Sequence, residues 1–203
     1  MPHIIKELPE IKVKYKDVFH LKNLYVMMHE YLVEENFLDE DQNQTYNGHR
    51  FIETLYLENF CQKGLHAGGK EMWIYWRAIK RPEGKLSGYY RYLLDIDFHG
   101  VYIRDQEVIH QGKKMKVQFG ELEIFFRPKI EADYRNEWEK HWLLKHFMKL
   151  YDTRVLSQEF EKREKELWRD VYKLQGKIKR FLNMRTFIPV PEPFWHPIYG
   201  YES

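Results

Sequence analysis

The sequence predicts an α+β fold: a curved antiparallel sheet of about five to six strands, one N-terminal helix, two C-terminal helices and an extended tail. Three observations support this class. Apolar and polar residues alternate in several runs of the first two thirds of the chain. Apolar residues recur every three or four positions in the last third. The final stretch, 187–203, is rich in proline and aromatic residues and cannot continue a helix.

The first two elements are a strand followed by a helix. Residues 11–19 alternate between apolar side chains and lysines, which is typical of a half-buried strand. From residue 17 to 37 the apolar spacing changes to three and four, and this predicts a helix with one face on the core. The polar stretch 39–50 is predicted to be a loop.

A run of strands follows in the middle of the chain. Residues 51–60, 71–80 and 89–110 are predicted strands, and 89–98 has the clearest alternation. The last predicted strand is 113–126. Its apolar residues occupy odd-numbered positions before Gly120 and even-numbered positions after it. Because a one-residue shift at a glycine is what a β-bulge produces, we expect the sheet to bend there.

The last third is predicted to be helical over 134–152 and 157–184. In the second helix the apolar residues from Leu167 onward form a narrow seam, while Trp168 and Tyr172 lie outside it as a second stripe. The organisation expected is an α+β sheet domain over 1–152 with the first C-terminal helix, a long amphipathic helix over 153–186, and the tail over 187–203.

Two resemblances accompany this pattern. The order of elements resembles the helix-grip (START-like) fold, in which a curved antiparallel sheet wraps a long C-terminal helix. The stretches "KVKYKDVFHLKNLYVMMHEYL" and "EVIHQGKKMKVQFGELEIFFRPKIEADY" resemble a group of short, uncharacterised archaeal proteins. That group implies no function for this chain, and the likeness does not extend to the tail.

Composition excludes some classes of protein. The chain has 33 Lys and Arg against 31 Asp and Glu, a net charge of +2, which excludes a generally basic protein that coats nucleic acid. No apolar run is long enough for a membrane helix, and the first residues lack a signal-peptide layout. One cysteine, Cys61, forms no internal disulfide. These features together favour a cytoplasmic protein without membrane contact.

No motif of the sequence points to catalysis, a metal or a cofactor. The closest candidate is "DIDFH", which places Asp95, Asp97 and His99 on one strand face. These residue types could bind a metal or hold a water for acid–base chemistry. The favoured interpretation is a solvated strand face, paired with Lys114 and Lys116 or with Arg91. We therefore expect no catalytic residue, no metal and no cofactor.

Single-stranded nucleic acid is a third-ranked partner. The segment "WIYWRAIKRPEGK" interleaves aromatic residues with Arg77, Lys80 and Arg81. Aromatic residues beside basic loops often hold single strands. The near balance of charge makes this interpretation less favoured than protein partners.

The leading hypothesis is a non-enzymatic interaction or self-assembly subunit, binding copies of itself or another protein. Aromatic residues of the tail and of the second helical stripe would anchor the partner, since buried aromatics are typical of interface hot spots. The predicted interaction residues are Phe187, Pro189, Pro191, Phe194, Trp195, Ile198, Tyr199, Tyr201, Trp168 and Tyr172.

The alternative hypothesis is a helix-grip protein that binds a small apolar ligand between the sheet and the terminal helix. The predicted lining of that cavity consists of Trp76, Tyr90, Tyr92 and Phe126. The same aromatic residues would fit an ordinary core. The sequence leaves both hypotheses open, together with the identity of any partner.

Overall fold

The computed structural model describes residues 3–37, 45–46, 49–50, 52–65, 67–84, 88–110, 113–144, 146, 154 and 157–184. The strands are β1 (His3–Glu7), β2 (Ile11–Phe19), β3 (Thr45–Tyr46), β4 (His49–Arg50), β5 (Glu53–Phe60), β6 (Lys70–Lys80), β7 (Tyr90–His110) and β8 (Lys113–Ala132). The helices are α1 (Leu21–Glu34), α2 (Glu137–Lys140) and α3 (Ser157–Phe181).

Six strands form one antiparallel sheet around the long β7–β8 hairpin. The order is β1-β8-β7-β6-β5, and β2 also pairs with β8. Thus β1 lies beside the end of β8, with His3 opposite Ala132, while β2 lies beside its middle, with Ile11 opposite Phe126. The other edge of the sheet is β5. The predicted antiparallel sheet is confirmed, whereas β1 and the short β3–β4 pair were not predicted.

The two faces of the sheet differ in character. On β7 the residues Tyr92, Leu94, Ile96 and Phe98 are buried in the core under α1 and α3, and we call this side the inner face. Residues of opposite parity, such as Asp95, lie on the outer face. The alternation read from residues 89–98 therefore identifies the core-facing side correctly.

Helix α1 begins and ends with local caps. The ring nitrogen Nδ1 of His20 accepts a hydrogen bond from the Asn23 amide at 3.2 Å. At the other end Asn36 adopts a positive φ of 59°, and the Phe37 amide donates to the Leu32 carbonyl at 2.8 Å. Asparagine tolerates this left-handed conformation, so the helix stops there and the Phe37 side chain enters the core.

Helix α3 lies along the sheet and contacts α1 and β8. Its predicted seam is confirmed as core, since Leu167, Val171, Leu174 and Ile178 are all buried. The helix ends where Asn183 takes a positive φ of 50° and the Met184 amide donates to the Lys179 carbonyl. None of the helices in the described ranges is long and apolar enough to cross a membrane.

The predicted C-terminal helices differ from those of the structure, because the first, 134–152, is not one continuous helix. It begins with the four-residue α2 (Glu137–Lys140), His141 after it is extended, and helical conformation returns at Leu144 and His146. Two amides of α2, those of Glu137 and Trp138, donate to Asp133 Oδ1. The Trp142 side chain beyond it is exposed, so the apolar spacing in this segment does not reflect a buried helix face.

The bulge predicted at Gly120 lies at that level of the sheet but on the neighbouring strand. The register between β7 and β8 shifts between Val101 and Arg104, so the extra residue belongs to β7. Across from it, β8 pairs with β2 without interruption from Phe126 to Gln118. Gly120 is required because an added Cβ would lie 2.7 Å from Ile103 Cδ1 and 2.9 Å from the Tyr102 carbonyl oxygen. The close approach of the bulged strand excludes any side chain there.

Candidate functional site

The edge strand β5 exposes large apolar side chains to solvent. The exposed fractions are 44% for Leu55, 47% for Tyr56, 43% for Leu57 and 63% for Phe60. Natural edge strands are normally protected by charged side chains (lysine above all), proline, bulges or shortness. The eight residues of β5, ETLYLENF, contain neither lysine nor proline. One edge of β5 pairs with β6. No strand of the described residues pairs with the opposite edge, which we call the β5 edge.

A bulge at the start of β5 leaves its remaining residues regular. The register against β6 shifts between Glu53 and Leu55, so Thr54 is the extra residue, and its hydroxyl donates to the Tyr75 carbonyl at 3.1 Å. From Leu55 to Phe60 every residue has a partner on β6. The regular ladder fixes which face each side chain of this segment occupies.

On the outer face β5 continues an aromatic surface. Leu55 lies opposite Tyr75, and Leu57 lies opposite Trp73. The Trp73 ring stacks on His99 with centroids 3.7 Å apart, and its indole nitrogen donates to Glu71 at 3.3 Å. These contacts hold the aromatic rings in place beside the two exposed leucines.

On the inner face a groove separates β5 from α1. A cleft of about 350 Å³ is lined by Leu21, Tyr25, Tyr56 and Ile74, together with Lys22, Glu53 and Gln118. The Tyr25 hydroxyl donates to Glu53 at 2.5 Å. Burial, followed by that carboxylate, raises the pKa of Tyr25, so its hydroxyl stays protonated as a donor. Tyr56 forms one wall of this groove and is half exposed.

A second, polar cleft of about 670 Å³ lies where the end of α1, the end of β6 and α3 meet. Its lining is almost entirely charged: Glu34, Glu35, Asn36, Lys80, Arg81, Glu83, Lys162, Arg163, Glu166, Arg169, Asp170 and Lys173. Cations and carboxylates alternate, and several neutralise each other directly. Lys80 Nζ lies 2.6 Å from Asp170 Oδ2. These pairs attach α3 to the sheet.

Arg163 is the most buried cation of the polar cleft. Its guanidinium contacts Glu159 at 2.7 Å and Glu166 at 3.0 Å. Its Nε atom is buried and has no hydrogen-bond partner among the described residues. Glu166 also accepts from the Tyr92 hydroxyl at 3.1 Å, and burial, followed by this carboxylate, raises the pKa of Tyr92.

The "DIDFH" residues lie on the outer face with partners other than those expected. Asp97, 5% exposed, accepts from Arg77 and Arg127, and Asp95 pairs with Lys129 at 3.0 Å. His99 lies 3.1 Å from Glu71. No group of three metal-ligating side chains occurs within the described residues.

The expected pairing of these carboxylates with Lys114, Lys116 or Arg91 is wrong. The hairpin register places Lys114 opposite Ile109 and Lys116 opposite Glu107, far along the strand from Asp95. Arg91 pairs with Glu131 instead. The neighbours of the carboxylates depend on which residues of β6 and β8 lie across from them, and the sequence does not reveal that register.

The predicted cavity residues meet in the core. Trp76, Tyr90, Tyr92 and Phe126 are all fully buried on the inner face. Neighbouring rings pack edge to face, as Trp76 does with Phe98 at 5.0 Å and with Tyr25 at 4.6 Å. None of the four lines the two clefts described above.

The predicted nucleic-acid contacts do not share one surface. Arg77 lies on the outer face and contacts Asp97 at 2.6 Å and Asp95 at 3.4 Å. Lys80 lies at the polar cleft beside Asp170, and Arg81 lies over the Tyr134 ring at 5.5 Å. Carboxylates partly neutralise Arg77 and Lys80.

Most of the predicted interaction residues belong to the tail, and Phe187, Pro189, Pro191, Phe194, Trp195, Ile198, Tyr199 and Tyr201 lie outside the described residues. The two that are described, Trp168 and Tyr172, stack on each other with centroids 5.2 Å apart on α3. Tyr172 is 55% exposed, whereas Trp168 packs partly against the core. Of the two described residues of the second stripe, Tyr172 is therefore accessible to a partner and Trp168 is only partly so.

Sequence reasoning did not single out Leu55, Tyr56 and Leu57. The signal was present, because three consecutive apolar residues place large side chains on both faces of one strand. In a central strand both faces are covered, but β5 lies at the edge. Only the order of strands distinguishes the two cases.

Comparisons with known proteins give no relative for this chain. No protein-family model matches it, and neither a curated protein nor a solved structure is significantly similar to it.

Proposed function

We propose that the protein is a non-enzymatic protein–protein interaction subunit that accepts a strand of another polypeptide at the β5 edge. The observation that carries this proposal is an edge strand that lacks lysine and proline and has half-exposed Leu55, Tyr56 and Leu57. Edge strands of this kind are templates for pairing, because their outward N–H and C=O groups have no partner strand.

Strand addition would use both parts of the site. Main-chain hydrogen bonds along the β5 edge supply affinity, and side chains on alternate faces supply specificity. On the outer face Leu55 and Leu57 would pack with the partner beside Trp73 and Tyr75. Each half-exposed side chain would contribute roughly 1 kcal/mol when it is covered, since full burial is worth about 1.5–3 kcal/mol.

The groove between α1 and β5 adds a second anchor. Tyr56 and Ile74 line it from the sheet side, and Leu21 and Tyr25 line it from the helix side. A side chain of the added strand that points to the inner face would enter this groove. The Tyr25–Glu53 hydrogen bond fixes the groove's wall before any partner arrives.

The test is photo-cross-linking in the native host. The complete chain carries p-benzoylphenylalanine in place of Tyr56, with or without the changes Leu55→Lys and Leu57→Lys. We expect a discrete cross-linked product that mass spectrometry maps to a strand of the partner and that both lysines abolish. Ile109→Lys is the matched control, because Ile109 is equally apolar and 74% exposed but lies at the far end of β7. The proposal would be contradicted if the Leu55→Lys, Leu57→Lys variant gave the same cross-linked products as the Ile109→Lys control.

A further inference from the structure

We infer that the strand added to β5 is the β5 of a second copy of this chain, paired antiparallel about a two-fold axis at Tyr56. The inference rests on the proposed function and names the partner of the same site. A two-fold interface is isologous, so one patch must complement itself. The order of side chains along β5 has this property.

The pleat restricts the registers that two copies can adopt. Two coplanar sheets continue one another only if each residue pairs with a residue of the same face. In an antiparallel pair related by a two-fold axis, this requires that some residue lie directly opposite the same residue of the second copy, with the axis midway between the two. The choice is then which residue of β5 lies on the axis.

An axis at Tyr56 gives the most complementary set of neighbours. Leu55 then lies opposite Leu57 of the second copy, twice, and Tyr56 lies opposite its own copy. Glu58 falls opposite Thr54, so no carboxylate meets another. Apolar side chains are thereby paired in the regular part of the strand, and the ladder ends at the bulge.

Other axes pair the strand less well. An axis at Leu57 places Leu55 opposite Asn59 and Tyr56 opposite Glu58. An axis at Glu58 places two carboxylates directly opposite each other, and an axis at Leu55 places Tyr56 opposite the bulged Thr54, where the regular ladder ends. Like charges opposite each other are destabilising, and a carboxylate beside a covered tyrosine loses solvent. Charge and apolar pattern therefore select Tyr56.

The neighbouring strand supports this arrangement. On the outer face, the two Leu55–Leu57 pairs of the dimer would be flanked on either side by Tyr75 and Trp73. On the inner face, the paired Tyr56 rings would extend the wall of the α1–β5 groove in both copies. Two six-stranded sheets would become one continuous sheet.

The test uses purified complete chain in a Cys61→Ser background, which removes the one native thiol. Light scattering should give the mass of two chains for this protein and for Ile109→Lys, and one chain for Leu55→Lys with Leu57→Lys. We expect association to weaken more than tenfold in the lysine variant. Circular dichroism of each variant verifies that it is folded.

Single cysteines then determine the register. On copper-catalysed oxidation Tyr56→Cys should form a covalent dimer, whereas Glu58→Cys and Leu57→Cys should remain single chains, because a disulfide requires Cβ atoms about 4 Å apart. A covalent dimer through position 57 or 58, or a wild-type mass of one chain, overturns the inference. If the photo-cross-linker at position 56 then captures a different protein in the host, the proposed function stands and only the self-pairing is wrong. A mass of two chains that the lysine variant retains also overturns the inference, whereas the proposed function fails only if the photo-cross-linked products are insensitive to the two lysines.

Discussion

Lys80 Nζ lies 2.6 Å from Asp170 Oδ2, and the two side chains are only 12% and 7% exposed. The pair joins the end of β6 to the middle of α3 at the polar cleft. Nearly buried ion pairs contribute little compared with apolar residues, but removing one partner leaves an uncompensated charge. The pair therefore makes the attachment of α3 sensitive to a single substitution.

Asp170→Asn should lower the free energy of unfolding by about 3 kcal/mol, because the Lys80 charge remains in place without its carboxylate. The combined change Lys80→Met and Asp170→Leu should recover most of this loss. Urea unfolding followed by circular dichroism measures both. Glu161→Gln, which breaks an exposed pair with Lys165 at 3.7 Å, serves as control and should cost less than about 0.5 kcal/mol. Equal losses at the two sites would contradict this view of the cleft.

Gly120→Ala should destabilise the protein by about 1–3 kcal/mol, since the new Cβ would meet Ile103 and the Tyr102 backbone at the bulge. Gly176→Ala is the matched control: Gly176 is exposed in α3, and no atom lies within 4 Å of its added Cβ. That change should instead stabilise the helix by about 1 kcal/mol. Thermal unfolding of the two variants should give shifts of opposite sign, and shifts of the same sign would disprove the prediction.

Stability should fall at alkaline pH, and Tyr92 should account for part of the fall. Burial, followed by the nearby Glu166 carboxylate, raises the pKa of Tyr92 in the folded protein above its usual value of 10. The stabilising contribution is therefore complete below about pH 10 and decreases as pH rises toward the folded pKa, because the unfolded chain ionises first. Tyr92→Phe should show a shallower decline in urea-unfolding free energy between pH 9 and pH 11, on the order of one titrating group. Parallel profiles would refute the assignment.

Binding to single-stranded nucleic acid should be weak and disappear at moderate salt. Asp95 and Asp97 partly neutralise Arg77, Arg127 and Lys129 on the outer face, which weakens their attraction for phosphates. Fluorescence anisotropy with a labelled oligothymidine at low and moderate salt measures this. A complex that resists salt and depends on Arg77 and Arg81 would raise nucleic acid from the third-ranked to the leading partner.

The parts of the fold with strong local patterns were predictable. The alternation in residues 89–98 and the seam from Leu167 to Ile178 correctly identify the buried faces, because burial alone determines both patterns. The segment 134–144 was not predictable in this way. Its apolar residues have helical spacing, yet Trp142 is exposed and α2 ends at Lys140, before an extended His141. Spacing indicates a buried face only when another element covers it.

The candidate site was less accessible to sequence reasoning because it depends on long-range order. Leu55 and Leu57 would form ordinary core in a central strand, and only the position of β5 at the edge makes them exposed. In the same way, the partners of Asp95 and Asp97 follow from the register of three strands. Neither strand order nor register has a local signature in this sequence.

The pairing of β2 with β8 also affects synthesis of the chain on the ribosome. Ile11 pairs with Phe126, so β2 leaves the ribosome long before its partner exists. At about 5–20 residues per second, the delay is roughly 6–23 s. During that time β2 has no partner strand, and α3, which covers the inner face, is translated later still. The nascent chain therefore displays an incomplete sheet with open edges for seconds, and we expect its folding yield in cells to depend on chaperones that bind such segments.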